Sequence, residues 1–482
     1  MVFVVAALLL ALPLACGRGG EPGRGDDLDT GSGELTGART SPGFGTDGLE
    51  NRPNVVLILA DDLDRSVFEG STLDSAWTPE GTSFDNALVT TSLCCPSRAS
   101  ILRGQYAHNT GLVNNLNEEP GGGASFFRAA GLEGQTLATL LREGGYETWF
   151  GGKYLNGHEE AGGWKGHVPP GWDHWRAYLD EWAVNRDGTV VGFEGHYTDW
   201  LSGRAKRFIE GRRGLSAPFF MHVSPWDTHS PLLPPERHRD AYPDARVPRP
   251  PSFDEADISD KPSWVGEKDR IRAAEKDVFD RRYGRRLRSA LTLEDLSRDV
   301  FSALSRAGHL DDTYVVFTSD NGYHMGLHRM MAAKWTPYTE AHEVPFVVRG
   351  PGVPRGRSFD HLVANTDIAP TVLDLAGLEA PRWMDGTSIA PFLDGAAPDD
   401  WRSSVLIEGT EGTYYGRPGY SGIRREDEVY VEYLGGEREY YDLARDPYQL
   451  VNRPEAASRT LKEDLRALKT CSGDGCRHAE GF

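Results

Sequence analysis

The sequence predicts an α/β fold: one large, mostly parallel sheet flanked by helices, followed by a smaller C-terminal antiparallel sheet domain. Three observations carry that prediction. Continuous apolar runs of strand length end abruptly in polar residues, as in 54–60 before Asp61-Asp62 and 313–319 before Asp320-Asn321. Such runs suit strands covered on both faces, the condition of a parallel sheet. Segments of helical period alternate with them. After about Gly377 the texture changes to short strand-like segments separated by turn residues.

Each element follows from its local pattern. Residues 2–12 form an apolar run and small residues precede Cys16, which reads as an export signal too short to span a bilayer. Residues 1–16 are therefore expected to be a signal or lipoprotein-type segment, with lipidated Cys16 as the membrane attachment. Residues 17–52, rich in Gly, Asp, Thr and Ser, read as a flexible linker. The large α/β domain is expected over 53–377. Within it, Leu137, Leu140 and Leu141 mark a helix in 134–143. The strand 146–150 precedes Gly151-Gly152-Lys153, and the strand 219–224 precedes Asp227-Thr228-His229. The densely charged stretch 252–288 is expected to be a solvated excursion with helical parts. Leu296, Val300 and Leu304 form one helical stripe closed by Gly308. A further strand, 344–348, runs into Arg349, and 367–375 reads as a short helix containing Pro370. The smaller α+β domain, 378–482, is expected to hold strands at 403–408, 419–424, 428–434 and 438–442 and a closing helix at 461–468.

The chain has 482 residues, 26% charged and 39% hydrophobic, which is ordinary for a globular protein. Its formal charge of −20 argues against nucleic acid as a partner, because phosphate backbones reward basic surfaces. A small anion is still admissible, since a few local cations can focus a favourable field. Of five cysteines, Cys471 and Cys476 flank a short glycine-containing loop and are expected to form a disulfide in an oxidising compartment. The alternative is two free thiols in a frayed tail.

Ligands of open parallel sheets bind beyond the carboxyl ends of the strands. Asp61, Asp62, Lys153, His229, Asp320 and Asn321 each follow a predicted strand within a few residues, so one sheet edge can gather them. The two acidic pairs offer hard oxygen ligands, which favour Ca²⁺, or Mg²⁺ in second place, over zinc. Taken singly, Asp-Asp reads equally as a helix cap and Asp-Asn-Gly as a turn. Pro96 and the residues after it predict a helix that starts just after Cys94 and ends near Gly104. Its N-terminus would offer unpaired N–H groups to an anion.

The string Cys94-Cys95-Pro96-Ser97-Arg98-Ala99-Ser100-Ile101-Leu102-Arg103-Gly104 resembles the type I sulfatase signature C-x-P-S-R-x-x-x-L-x-G. By ordinary residue usage such a match arises by chance with a probability on the order of 10⁻⁵. The resemblance implies an alkaline-phosphatase-like fold and a formylglycine made from Cys94 by a formylglycine-generating enzyme. It also implies a calcium ion held by Asp61, Asp62, Asp320, Asn321 and the modified Cys94. By the same resemblance, Arg98 supports the nucleophile and Asp320 acts as its base. Lys153 and Lys334 contact sulfate, and His229 serves the leaving group. Many members carry a histidine two positions after the first lysine. Here Leu155 stands there, which leaves His324, then His328, as candidate bases. His108 reads as a structural hydrogen-bonding residue and Cys95 has no assigned role; a vicinal disulfide with Cys94 is its plain alternative.

The segment 91–115, Gly-Lys-Tyr-Leu-Asn from Gly152 and Pro-Pro-Gly-Trp-Asp-His-Trp from Pro169 are similar to N-acetylglucosamine-6-sulfatases and related extracellular sulfatases. That likeness implies an exported or cell-surface hydrolase of sulfated carbohydrates or small sulfate esters. The rival readings are a phosphate or phosphonate ester hydrolase and a non-catalytic sulfoglycan-binding lipoprotein.

Overall fold

The computed structural model describes residues 52–159, 164–180, 182–331, 334–414 and 416–482. The predicted signal segment with Cys16, and the predicted linker up to residue 51, lie outside the described residues. Among these, ten strands form the large sheet: β1 (Asn54–Ala60), β2 (Thr82–Leu88), β3 (Glu147–Gly152), β4 (His174–Asp180), β5 (Ala183–Arg186), β6 (Thr189–Gly192), β7 (Phe219–Ser224), β8 (Thr313–Ser319), β9 (Phe346–Arg349) and β10 (Arg357–Ala364). Their order is β10-β2-β9-β8-β1-β7-β3-β4-β5-β6. The central block β8-β1-β7-β3-β4 is parallel throughout. This is where the continuous apolar runs lie, and every residue of β1 is buried.

Register sets the functional edge. Ala60 pairs with Ser319 and Gly152 with Ser224. Asp61, Asp320 and Lys153 therefore leave the sheet on one side. The strand expected at 344–348 is β9, and it runs antiparallel to β8. Its Arg349 consequently lies at the opposite edge and adds nothing to the site.

Helices cover both faces. On one side, α1 (Cys94–Arg103), α2 (Leu137–Glu143) and α5 (Ile368–Leu375) contribute Ala99, Leu102, Leu137, Leu141 and Val372 to a core with Leu57, Phe150 and Phe220. On the other, α3 (Tyr197–Gly211) and α4 (Ala273–Ala307) contribute Leu201, Ile209, Leu293 and Val300 to a core with Ile58, Met221 and Phe317. Each such side chain contributes roughly 1.5–3 kcal/mol on full burial. Thr136 caps α2 through the Thr139 amide, and left-handed Gly308 ends α4.

The charged stretch 252–288 has the expected helical parts and many exposed residues, but several of its charges are not solvated as composition suggests. Asp254, Glu255, Lys261 and Arg286 are buried. They are paired: Asp254 with Arg270 and Lys276, Glu255 with Lys261, and Arg286 with Asp64. Charges matched in pairs, here within the stretch or with Asp64, can be buried, which composition does not reveal.

The second sheet is antiparallel, β11 (Val405–Tyr414), β12 (Arg417–Arg424), β13 (Glu428–Tyr433) and β14 (Arg438–Asp442), in that order. Helix α6 (Arg459–Leu468) lays Leu461, Leu465 and Leu468 against Leu406, Ile423 and Tyr430. Cys471 and Cys476 are disulfide-bonded, while Cys94 and Cys95 are free thiols. Among the described residues no helix is long and apolar enough to cross a membrane.

Candidate active site

Cys94 is the first residue of α1, one position earlier than the sequence suggests, and all ten residues of that helix are buried. Its end is fixed by Gly104 at φ +61°, where a side chain would press on Met384 and Pro370. The expectation of free helix amides is met only in part. The Cys95 N–H donates to Asn115 Oδ1 at 2.9 Å, Pro96 has none, and the Ser97 N–H donates to Leu93 O at 3.0 Å. Side-chain cations therefore add to the favourable charge that the helix end offers at this site.

Those cations converge from the ends of β3 (Lys153) and β7 (His229), from α1 (Arg98) and from the loop that carries Lys334. Cys94 Sγ lies 3.7 Å from Asp61 Oδ1 and 2.7 Å from Lys334 Nζ. Lys334 also contacts Asp62 Oδ1 at 2.5 Å, and Lys153 contacts Asp61 Oδ2 at 2.5 Å. Lys153 follows Gly152, whose φ of +123° and close approach to Ser224 O leave no room for a Cβ. Arg98 donates through Nε to Asp320 Oδ2 at 2.7 Å. Through Nη1 it donates to Lys153 O and Ser224 Oγ, both at 2.7 Å. Asp320 Oδ1 accepts the Asp62 N–H at 3.1 Å. Asn321 Nδ2 donates to Asp62 Oδ1 at 2.7 Å. His229 Nε2 lies 3.8 Å from Asp62 Oδ2, and its Nδ1 donates to Ser230 O at 2.5 Å.

The electrostatics follow from burial opposed by these charges. Burial alone would raise the Asp61 and Asp62 carboxyls, but the surrounding Lys153, Lys334 and His229 outweigh it and hold both below the usual range. Asp320 goes the other way, raised by burial and by the neighbouring Asp61 despite Arg98. Burial pushes the Cys94 thiol up to about 11 and that of Cys95 up to about 12. An unmodified thiol at position 94 is thus a poor nucleophile near neutrality.

Atoms of Asp61, Asp62, Cys94 and His229 capable of metal binding all lie within 4.8 Å of one another. Asn321 Oδ1 is buried without a hydrogen-bond partner, as is Arg98 Nη2. The carboxylate oxygens and that spare amide oxygen are a donor set for a hard divalent cation, and the spare guanidinium nitrogen is a donor for an anion. Asp62 also holds φ +58°, uncommon for a residue with a side chain.

All nine residues singled out from the sequence, Asp61, Asp62, Cys94, Arg98, Lys153, His229, Asp320, Asn321 and Lys334, meet in this one cluster. The other histidines do not join it. His324 bonds Thr336 Oγ1 and His328 bonds Glu255. Leu155 is core. His108 is hydrogen-bonded to Glu408 and to Cys471 O, a structural bridge. Sequence reasoning does not find Ser224, Asn115 or Arg417, whose Nη1 donates to Lys334 O at 2.6 Å. Ser224 ends β7 and is open to the strand-end rule; Asn115 and Arg417 carry no local signal.

Residues 53–378 match the protein family described as Sulfatase, and residues 326–470 match that described as N-sulphoglucosamine sulphohydrolase, C-terminal. The N-acetylglucosamine-6-sulfatase of Capra hircus is 34% identical over 492 aligned positions, covering 89% of this chain and 86% of that protein. An extracellular sulfatase homolog of Drosophila melanogaster is 31% identical over 74% of this chain and 33% of its own. A structure solved in complex with its substrate D-glucosamine-2-N,6-O-disulfate shares the fold at a TM-score of 0.72 and 24% identity. It covers 86% of this chain and 97% of that one.

Proposed function

This chain belongs to the sulfatase family and is a sulfatase, and from that premise we propose that it hydrolyses 6-O-sulfated N-acetylglucosamine or a related sulfated glycan through a formylglycine made from Cys94 beside a bound calcium ion. The observation that supports this most is the placement of Cys94 Sγ between the Asp61 carboxylate and the Lys334 ammonium, at the start of a buried helix. The relative from Capra hircus supports the sugar. We read 53–377 as the catalytic part and 378–482 as the smaller domain that supports the Lys334 loop. The apolar run 2–12 and Cys16 support export with lipid attachment at the cell surface.

Oxidation of Cys94 by a formylglycine-generating enzyme would supply an aldehyde hydrate, whose second hydroxyl can lose its proton, expel sulfate from the first and restore the aldehyde, a route no thiol offers. That replacement of sulfur by oxygen also makes the set Asp61, Asp62, Asp320, Asn321 and residue 94 an all-oxygen one, the kind calcium prefers. Calcium there would supply positive charge toward a sulfate oxygen.

The chain's own side chains do the rest. Lys153, Lys334 and Arg98 Nη2 offset the charge of the sulfate group and orient it in a buried site, where fixed cations act strongly. The raised Asp320 carboxyl, close to the site through Arg98, is suited to take a proton from the nucleophilic hydroxyl. His229 has Nδ1–H committed to Ser230 O, so Nε2 is the atom that gives a proton to the leaving oxygen.

Mass spectrometry of the peptide spanning Cys94 tests the reading. An aldehyde is expected there, and an unmodified thiol in active enzyme refutes it. Cys94→Ala should abolish sulfate release from N-acetylglucosamine 6-sulfate, whereas Cys95→Ala should leave most of it.

A further inference from the structure

The main chains of Lys153 and Asp320 are fixed at strand ends, where they donate to Ser224 O at 2.8 Å and Ala60 O at 3.1 Å. Lys334 belongs to no strand or helix. Its ammonium nevertheless lies 2.7 Å from Cys94 Sγ and 2.5 Å from Asp62 Oδ1. Something outside the large sheet sets where its backbone sits.

Contacts with the second sheet supply that support. Arg417, the half-buried first residue of β12, donates through Nη1 to Lys334 O at 2.6 Å. A charged donor on a carbonyl is among the stronger hydrogen bonds. On β11 the Glu408 N–H donates to Thr90 O at 2.8 Å, which holds the segment leading into Cys94. The next residue, Gly409, faces Trp335: a Cβ there would come within 2.9 Å of the indole nitrogen and collide with the Tyr420 ring. The two held segments are tied to each other as well, the Trp335 N–H donating to Ser92 O at 2.8 Å. Trp335 keeps φ +58°, a conformation uncommon for a bulky residue and retained only where the surroundings impose it. One small sheet therefore backs both the nucleophile segment and the Lys334 loop.

We propose that Arg417 is a positioning residue: its bond to the Lys334 carbonyl fixes the distance from the Lys334 ammonium to residue 94, and so couples the second sheet to the sulfate-binding cations. This rests on the reading of Lys334 as a sulfate contact. Misplacement by about 1 Å can cost on the order of 10²-fold in rate, so a single backbone anchor matters.

The test is a double-mutant cycle between Arg417→Met and Lys334→Ala, with Arg417→Lys as the conservative variant. Two quantities are read, sulfate release from N-acetylglucosamine 6-sulfate and calorimetric binding of inorganic sulfate. Arg417→Met alone should lower kcat about thirtyfold and weaken sulfate binding about fivefold, with the melting temperature within about 3 °C of wild type. Arg417→Lys, which keeps one donor, should regain most of both losses. In the Lys334→Ala background, Arg417→Met should cost less than about twofold in either readout, because the group it positions is gone. A merely structural arginine would give losses that multiply across the cycle. Multiplying losses, or an Arg417→Met protein within about twofold of wild type in both readouts, overturns the proposal. If Arg417→Met does not fold, Arg417→Gln takes its place in the cycle under the same criteria. The two readings fail separately. If the wild type releases no sulfate from any ester, the activity reading falls and the sulfate-binding cycle decides the role of Arg417. If Lys334→Ala matches the wild type in both readouts, the assignment of Lys334 falls and the positioning role falls with it. A failed cycle around a crippled Lys334→Ala overturns the role of Arg417 alone.

Discussion

Glu439 on β14 and the pair Asp61 and Asp62 beyond β1 are all buried carboxylates, but their surroundings differ. Glu439 accepts hydrogen bonds from three phenols, Tyr338 at 2.9 Å, Tyr433 at 2.6 Å and Tyr441 at 2.7 Å. It is a closed circle of neutral donors. Asp61 and Asp62 face Lys153, Lys334, Arg98 and His229 instead, and the cluster leaves Asn321 Oδ1 and Arg98 Nη2, the latter 3.8 Å from Asp61, without hydrogen-bond partners. A buried charge whose partners are used up holds the fold together. A buried cluster with long-stemmed cations and spare polar atoms is arranged for something that arrives later.

The largest expected effect comes from removing one charge of the open cluster. Asp61→Asn should lower sulfate release by at least roughly 10³-fold while the melting temperature changes little. Loss of the fold with activity per folded molecule intact would erase the distinction drawn between the two sites.

Next in size is the closed circle. Glu439→Leu leaves three buried hydroxyls short of an acceptor and should reduce unfolding free energy by about 3 kcal/mol, read from the denaturant midpoint. Activity per folded molecule should stay within about tenfold. A larger kinetic loss would mean that Tyr338, four residues after Lys334, transmits the damage to the site.

The smallest effect sharpens the same contrast at a third position. Burial would lower the His108 pKa, but its hydrogen bond and ion pair with Glu408 outweigh that and raise it to about 9. A raised folded-state value means that protonated His108 stabilises fully below about pH 6.5, its ordinary value. The contribution then fades as pH climbs through 9. The melting-temperature gap between wild type and His108→Gln should therefore be widest near pH 6 and close by pH 9.5; a gap constant with pH would contradict the ion pair.

Much of this architecture is legible in the order of the residues. The runs at 54–60, 219–224, 313–319 and 438–442 are strands at those bounds, because both faces of a central strand, or alternate faces of an outer one, write themselves into local residue order. Strands β2, β5, β6 and β10 carry no such signature. Thr82–Leu88 mixes Ser, Asp and Asn into its run, and β5 and β6 have four residues each. Arg357–Ala364 is half exposed and breaks register at Phe359. Among site residues, those at strand ends or in the Cys94 string can be found from their neighbours. Asn115 and Arg417 act on backbone groups across the fold and leave no trace in theirs.

Sequence alone determined that a helix begins at the Cys94 string to within one residue, which polar groups terminate the central strands, and hence the chemistry available at one sheet edge. These depend on patterns a few residues long. Tertiary structure decided the rest: the register that sets Ala60 beside Ser319 and brings Asn321 to Asp62 across 259 positions, the reversed direction of β9, and the capture of the Cys95 N–H by Asn115. Those outcomes belong to pairs of distant segments, whose contact energy is shared between both partners and is written in neither one by itself.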